Sequence, residues 1–339
     1  MGSHRRLAPS GFDRGATAAI GLLSVATAVL GAVPAAVAAP HDDTRAEVDR
    51  LHTEAEKATE AYNKADERTD ALREELDDAQ DEIARKQERI NTMRDGLGSL
   101  AGAQYRSGGV DPSLVLLLSA DPDDYLDKAS VLDRVTARQA GDLRELRGAL
   151  RELSQDRAEA ARTLAELEKG RKAVAAHKKT VEHKLAEARR LLGTLPAGER
   201  AAYGRASRSD RPDLTALGGA APAASGRAAA AFAAARSALG RPYIWGANGP
   251  SGFDCSGLTQ WAYAQAGVGL PRTSQAQRYA GRRIPLSEAR PGDLVAYRDD
   301  ASHIGMYAGN GQVIHAPHPG APVRYDPVGM MPVSSVTRV

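Results

Sequence analysis

The chain has little of what usually knits a thick core or staples a small one. It holds one cysteine in 339 residues, so no internal disulfide can form. Aromatic residues make up only 4% of it, while the apolar fraction is an ordinary 42%, much of it alanine. That balance disfavours one large aromatic core and favours long, thin helices. A strong excess of either charge is also missing, since the formal net charge is +2. The even total hides a basic C-terminal third: residues 226–339 hold eleven arginines, no lysine and six acids. No helix-turn-helix, zinc finger or aromatic-basic interleaving accompanies that charge, which argues against nucleic acid as a partner. Anionic wall polymers or membranes are the counter-charges it fits, and solubility alone is the other reading. Beyond residue 39 no segment is apolar enough to span a bilayer.

What is present begins with a targeting pattern over residues 1–39. His4, Arg5 and Arg6 precede an uncharged run over 15–39, which ends in Ala36-Val37-Ala38-Ala39 before Asp42 and Asp43. This reads as a signal peptide cut after Ala38 or Ala39, with a retained membrane anchor as the rival reading. Either one puts the remainder outside the cytoplasm, so that the membrane is met only during export or at that anchor.

Residues 44–192 read as a helical coiled-coil hairpin. Apolar and small residues recur at steps of three and four through Val48, Leu51, Ala55, Ala58, Tyr62, Ala65, Thr69 and Leu72, and on to Leu97. A second series runs from Tyr125 through Leu132, Leu153, Leu167, Val181 and Leu185 to Leu192. Gly108-Gly109 and Asp111-Pro112 break the two, and the apolar patch 114–118 between them reads as a tip core or a docking surface. The charges off the seam read as a solvated face without chemistry. Residues 193–225, rich in alanine, glycine, proline and serine, read as a flexible tether, with a compact domain over 226–339.

That domain spends the one cysteine in Gly252-Phe253-Asp254-Cys255-Ser256-Gly257-Leu258. The helical spacing that follows puts Cys255 in the first turn of a helix or at its cap. Unpaired N–H groups there lower a thiol's pKa and can hold an oxyanion. Strands are expected over 294–297, 302–307 and 312–316, with Asn310-Gly311 as the turn of a hairpin. His303 and His315 then lie on neighbouring strands, within reach of each other. The arrangement fits a relay with Cys255 as nucleophile, His303 as base and His315 on the far nitrogen of His303. Two alternatives stay open on spacing alone: a buried inert thiol, or a zinc site built from Cys255, His303 and His315 with Asp254 or Asp293. His318, in a Pro/Gly-rich stretch, is expected at the surface.

Residues 226–339 resemble the NlpC/P60 family of cysteine peptidases that cut peptidoglycan stem peptides. The pieces that carry the resemblance are Pro242-Tyr243-Ile244-Trp245-Gly246, the cysteine motif, Pro291-Gly292-Asp293-Leu294, His303-Ile304-Gly305-Met306-Tyr307 and Ile314-His315-Ala316-Pro317. The resemblance implies a papain-like α+β domain with the cysteine helix packed on an antiparallel sheet. It implies Cys255, His303 and His315 as the catalytic set, with Tyr243 and Ser256 near the oxyanion or substrate. It implies no cofactor and no metal. Ala247, where the family often has glycine, and the connection Asp299-Asp300-Ala301 depart from the pattern in ways that reshape the groove. The segments 105–112 and 119–126 are similar to actinobacterial secreted endopeptidases of the Rip type. With the family resemblance, which supplies the γ-D-glutamyl–diaminopimelate bond as the target, that likeness implies a secreted, wall-associated enzyme of wall remodelling or daughter-cell separation. It also implies a coil that restrains the hydrolase or recruits wall or divisome proteins. The other readings of the same residues are a catalytically silent or partner-activated wall-binding scaffold, and an acyltransferase or amidase on another substrate.

Overall fold

A computed structural model describes residues 40–106, 114, 122–206 and 222–339. The targeting pattern over 1–39 and, apart from Leu114, the apolar patch 114–118 lie outside those residues. Helix α1 runs over Pro40–Arg106 and helix α2 over Pro122–Thr194. At 1.5 Å per residue, the 67 residues of α1 extend about 100 Å. The two are antiparallel: Lys184 meets Glu54, Asp156 meets Lys86 and Glu145 meets Arg89, so positions rise along one helix as they fall along the other. Val48, Leu51, Ala55, Leu72 and Ile90 of α1 and Leu153, Leu167, Val181 and Leu185 of α2 are buried, which is the seam the heptad spacing describes. Lys86, a charge at a seam position, reaches across to Asp156 at 2.6 Å.

Inside the stretch read as a tether, residues Ala197–Ala206 form a helix, α3. Its Tyr203 packs beside Val48, Leu51 and Ala188 and donates to Asp49 of α1 at 2.7 Å. A ten-residue helix is marginal alone, so packing on the hairpin base is what holds it.

The α+β domain follows. Helix α4 (Gly226–Ser237) and helix α5 (Cys255–Gln265) cover one side of a six-stranded antiparallel sheet, and a single turn of helix, α6, spans Ser274–Gln277. The strands are β1 (Arg282–Ile284), β2 (Leu294–Tyr297), β3 (His303–Gly309), β4 (Gln312–His315), β5 (Arg324–Pro327) and β6 (Val333–Arg338), in the spatial order β1-β6-β2-β3-β4-β5. Side chains alternate across the pleat. Leu294, Ile304, Met306 and Ile314 pack with α4 and α5, and Val295, Tyr297, Val313 and Val336 form a second cluster. Asn310 and Gly311 both take positive φ, 50° and 71°, in the hairpin joining β3 to β4.

The hairpin also packs on this domain. Trp245 lies against Ala55, Ala58, Val181 and Leu185, and meets the Tyr62 ring edge-on at 5.2 Å. The seam is therefore a core in its own right near this contact and a more open pairing farther out, where Leu126, Val131 and Leu143 are exposed. Leu51→Ala is expected to lower unfolding stability by about 2–5 kcal/mol. Leu143→Ala is expected to change it by no more than about 0.5 kcal/mol. Chemical denaturation of the two variants checks the contrast.

Candidate active site

Cys255 is the first residue of α5, and Asp254 caps that helix by accepting the Gly257 N–H at 2.6 Å. Asp254 has no exposed surface. Its other oxygen accepts from Gly246 N–H at 3.0 Å, and Arg272 reaches both oxygens at 3.0 and 2.6 Å. Gly257 has to be glycine, because a Cβ there would collide with the Ala247 carbonyl oxygen. That carbonyl accepts the Asp254 N–H at 2.8 Å, which binds the turn-rich approach to the head of the helix.

His303 opens β3 and His315 closes β4, so both stand at one end of the sheet. His303 Nε2 and His315 Nδ1 are 2.7 Å apart. Gly305 makes room for this: a Cβ there would sit 3.1 Å from His315 Cβ. His315 Nε2 in turn contacts Asp326 Oδ2 at 2.7 Å, and Arg324 Nε donates to that same oxygen at 2.8 Å. Burial pushes His315 down to about 4, with Asp326 opposing the shift, so the ring is neutral near pH 7. Both of its nitrogens are spent in hydrogen bonds, and Asp293 is engaged by Arg338 and by the Arg290 N–H, so neither of these two candidates of the zinc reading is free in this state. Tyr243 is buried, and burial followed by the nearby Cys255 raises its phenol well above the usual range. Ser256 is wholly buried beside the cysteine.

The sequence offered no sign of the two groups that meet the Cys255 thiol and the His303 ring. Glu56 and Glu60 of α1, one helical turn apart and only 4% and 2% exposed, enter the cleft. Cys255 Sγ donates to Glu60 Oε1 at 3.6 Å. Ser256 Oγ donates to the same oxygen at 2.7 Å, and the Ser274 N–H donates to Glu60 Oε2 at 2.7 Å. Glu56 Oε1 lies 3.2 Å from His303 Nδ1, an ion-pair distance without hydrogen-bond geometry, and Glu56 Oε2 accepts from Arg298 at 2.7 Å. Burial pushes the Glu56 carboxyl up, but His303 and Arg298 outweigh it and the net shift is downward. Around this pair Asn63 donates to Asp254 at 3.1 Å and Lys57 pairs with Asp300 at 2.8 Å. The connection that departs from the family pattern thus supplies part of the grip on α1. His318, expected at the surface, is half-buried, its ring stacked on His52 at 4.7 Å.

These contacts reverse the expectation of a depressed thiol pKa. Burial, then Glu60, Asp254 and Glu56, push Cys255 well above its ordinary value, and the Ile304 N–H opposes them without winning. His303 Nδ1 makes no hydrogen bond, so thiol and imidazole are not joined in this state. The charge-rich face of α1 is therefore not wholly solvated: one stripe of it is the floor of a filled cleft.

Burial, then Asp254, raises Glu60 to about 7. A carboxyl raised above its unfolded value gives its full stability below about pH 4.5 and loses it as pH climbs to about 7. The loss is on the order of 3 kcal/mol. Glu60→Gln keeps the shape and removes the titration. It is expected to match the parent near pH 4.5 and to be the more stable of the two at pH 8, read by denaturation at both values.

The NlpC/P60 family model matches residues 240–336. A probable endopeptidase of Corynebacterium glutamicum is 49% identical over 119 residues, 35% of this chain and 56% of that protein. A probable endopeptidase of Mycobacterium tuberculosis is 46% identical over 105 residues, 31% of this chain and 27% of that protein. The probable endopeptidase p60 of Listeria monocytogenes is 52% identical over 97 residues, 28% of this chain and 20% of its own. The chain thus spans about half or less of the length of these relatives. With the motifs, the capped cysteine helix and the sheet in hand, residues 240–336 are an NlpC/P60-family peptidase domain, carried behind an N-terminal helical hairpin.

Proposed function

We propose that the chain is an exported cysteine endopeptidase of peptidoglycan stem peptides, acting at the wall and held latent by its own helix α1. The observation that carries this reading is the filled cleft: two carboxylates of α1 sit on the cysteine and on the histidine of an NlpC/P60 domain. The relatives' names as probable endopeptidases and the targeting pattern over 1–39 support it further.

With α1 withdrawn, the cleft loses its nearest hostile charges, and the Cys255 proton passes to His303. The thiolate attacks the amide carbon, and the remaining N–H groups at the head of α5 stabilise the oxyanion. The imidazolium protonates the leaving amine, and water activated by His303 releases the acid from the acyl-enzyme. The seats that Glu60 fills on Ser256 and Ser274, and Glu56 on Arg298, suit a peptide that bears free carboxylates. This supports the γ-D-glutamyl–diaminopimelate bond as the target. The distal end of the hairpin, where Tyr105 is 86% exposed and Leu126 and Val131 are also uncovered, is where we place a wall or divisome partner able to pull the hairpin away.

The test is mass-resolved muropeptide release from diaminopimelate-type sacculi by full-length protein, by Glu60→Arg, and by Glu60→Arg with Cys255→Ala. Arginine at 60 sets like charge beside Arg272 and loosens the docked helix. Little release by the parent, new free-amine diaminopimelate products from Glu60→Arg, and none from the double variant are expected. In the Glu60→Arg background His303→Ala is expected to lose more activity than His315→Ala. Equal release by parent and Glu60→Arg would sink latency. No products from any form, with Cys255 rapidly alkylated in Glu60→Arg, would sink the peptidase reading in favour of a wall-binding scaffold.

A further inference from the structure

The polar chain that starts at His303 does not stop at His315. Asp326, on β5 and buried, contacts His315 Nε2 at 2.7 Å through Oδ2. Arg324 approaches the same oxygen with Nε at 2.8 Å and Nη2 at 2.7 Å. Strand pairing builds this cluster, since His315 stands opposite Arg324 and Val313 opposite Asp326. An oxygen that already takes two guanidinium N–H groups is an ionised acceptor, because a proton on it would face those donors. The proton between Asp326 and His315 therefore sits on Nε2 of the imidazole.

One proton on a neutral ring fixes the other nitrogen. His315 is neutral near pH 7, so its Nδ1 carries a lone pair. The 2.7 Å contact from that Nδ1 to His303 Nε2 then requires the hydrogen to be on His303 Nε2. His303 Nδ1 is left as the one nitrogen of that ring able to take a proton from a thiol. We propose that Asp326, anchored by Arg324, is a positioning residue that sets the tautomers of both histidines in series and thereby makes His303 Nδ1 the base.

The catalytic consequence rests on the peptidase reading; the tautomers do not. In the reaction the Cys255 proton moves to His303 Nδ1, giving thiolate and imidazolium. The Nε2 proton stays on His303, held by His315 Nδ1, and the Nδ1 proton later leaves on the amine. With Asp326 replaced by an apolar residue, the Arg324 N–H groups face His315 Nε2 instead. The proton shifts to His315 Nδ1, His303 Nε2 becomes an acceptor, and the His303 proton is left on Nδ1. The base is then blocked by its own hydrogen.

Nitrogen-15 NMR of histidine-labelled full-length protein at pH 7.5 tests this on His315, whose ring Glu56 does not touch, with His315→Gln to assign its signals. The expected result is an Nε2–H His315 in the parent, kept in Asp326→Asn, whose amide oxygen can still accept, and inverted to Nδ1–H in Asp326→Leu. In the Glu60→Arg background, kcat on sacculi is expected to fall on the order of a hundredfold or more for Asp326→Leu, with KM little changed, and to be largely restored in Asp326→Asn. An Nδ1–H His315 in the parent overturns the proposal, and that measurement needs no variant to fold. Unchanged tautomer and kcat in a folded Asp326→Leu overturn it as well. Inversion without sacculus activity in any form, Asp326 intact included, upholds the tautomer relay and removes the peptidase reading instead.

Discussion

Asp254 is the constraint on which the site depends. Taking a carboxylate wholly out of water is costly unless its lone pairs are met by donors. Here the donors come from separate parts of the chain: Gly257 in helix α5, Gly246 in the approach loop, Arg272 before α6, and Asn63 in the hairpin. Satisfying one buried charge therefore fixes the head of the cysteine helix, the loop that carries Trp245, and the docking register of α1. Asp254 thus ties together more of the site than Cys255 beside it does.

The same charge makes the docked state a compromise. Glu60 is placed near Asp254, and Arg272 is the cation that lies close to both. Trp245 against the hairpin seam and the His52–His318 stack supply apolar contact, while burial of Glu60 opposes docking near neutral pH. A latch built only from apolar contact would be tight and slow to release. One that carries a buried acid is held closer to balance, which suits the release proposed for α1. In the proposed latent state Glu60 is hostile to a Cys255 thiolate, and Glu56 stands at His303 Nδ1, the nitrogen proposed to accept its proton. Obstruction and disarming come from the same two side chains.

Much of the fold was legible in the sequence because its signals are local or periodic. The three-and-four spacing marked both arms of the hairpin, and Asn310-Gly311 marked the turn that joins β3 to β4. The short apolar runs at 294–297, 302–307 and 312–316 marked three of the six strands, and the Asp254-Cys255 motif marked the capped helix. The contact between His303 and His315 followed from the short connection between their strands. Asp326 was not legible. It lies eleven residues past His315 on a strand no alternation announced, and only the pairing of β4 with β5 brings it to the ring.

Sequence by itself determined the two arms of the hairpin, the cysteine helix, three of the six strands and the NlpC/P60 resemblance of the C-terminal domain, since each rests on neighbours along the chain. Tertiary structure alone decided that helix Ala197–Ala206 folds back on the hairpin, that Arg298 and Asp300 grip α1, and that Glu56 and Glu60 are buried while equally acidic neighbours stay in water. A glutamate on a long helix has the same local sequence character whether it faces solvent or a cleft. What separates the two is the surface that another part of the chain, some two hundred residues away, presents to it.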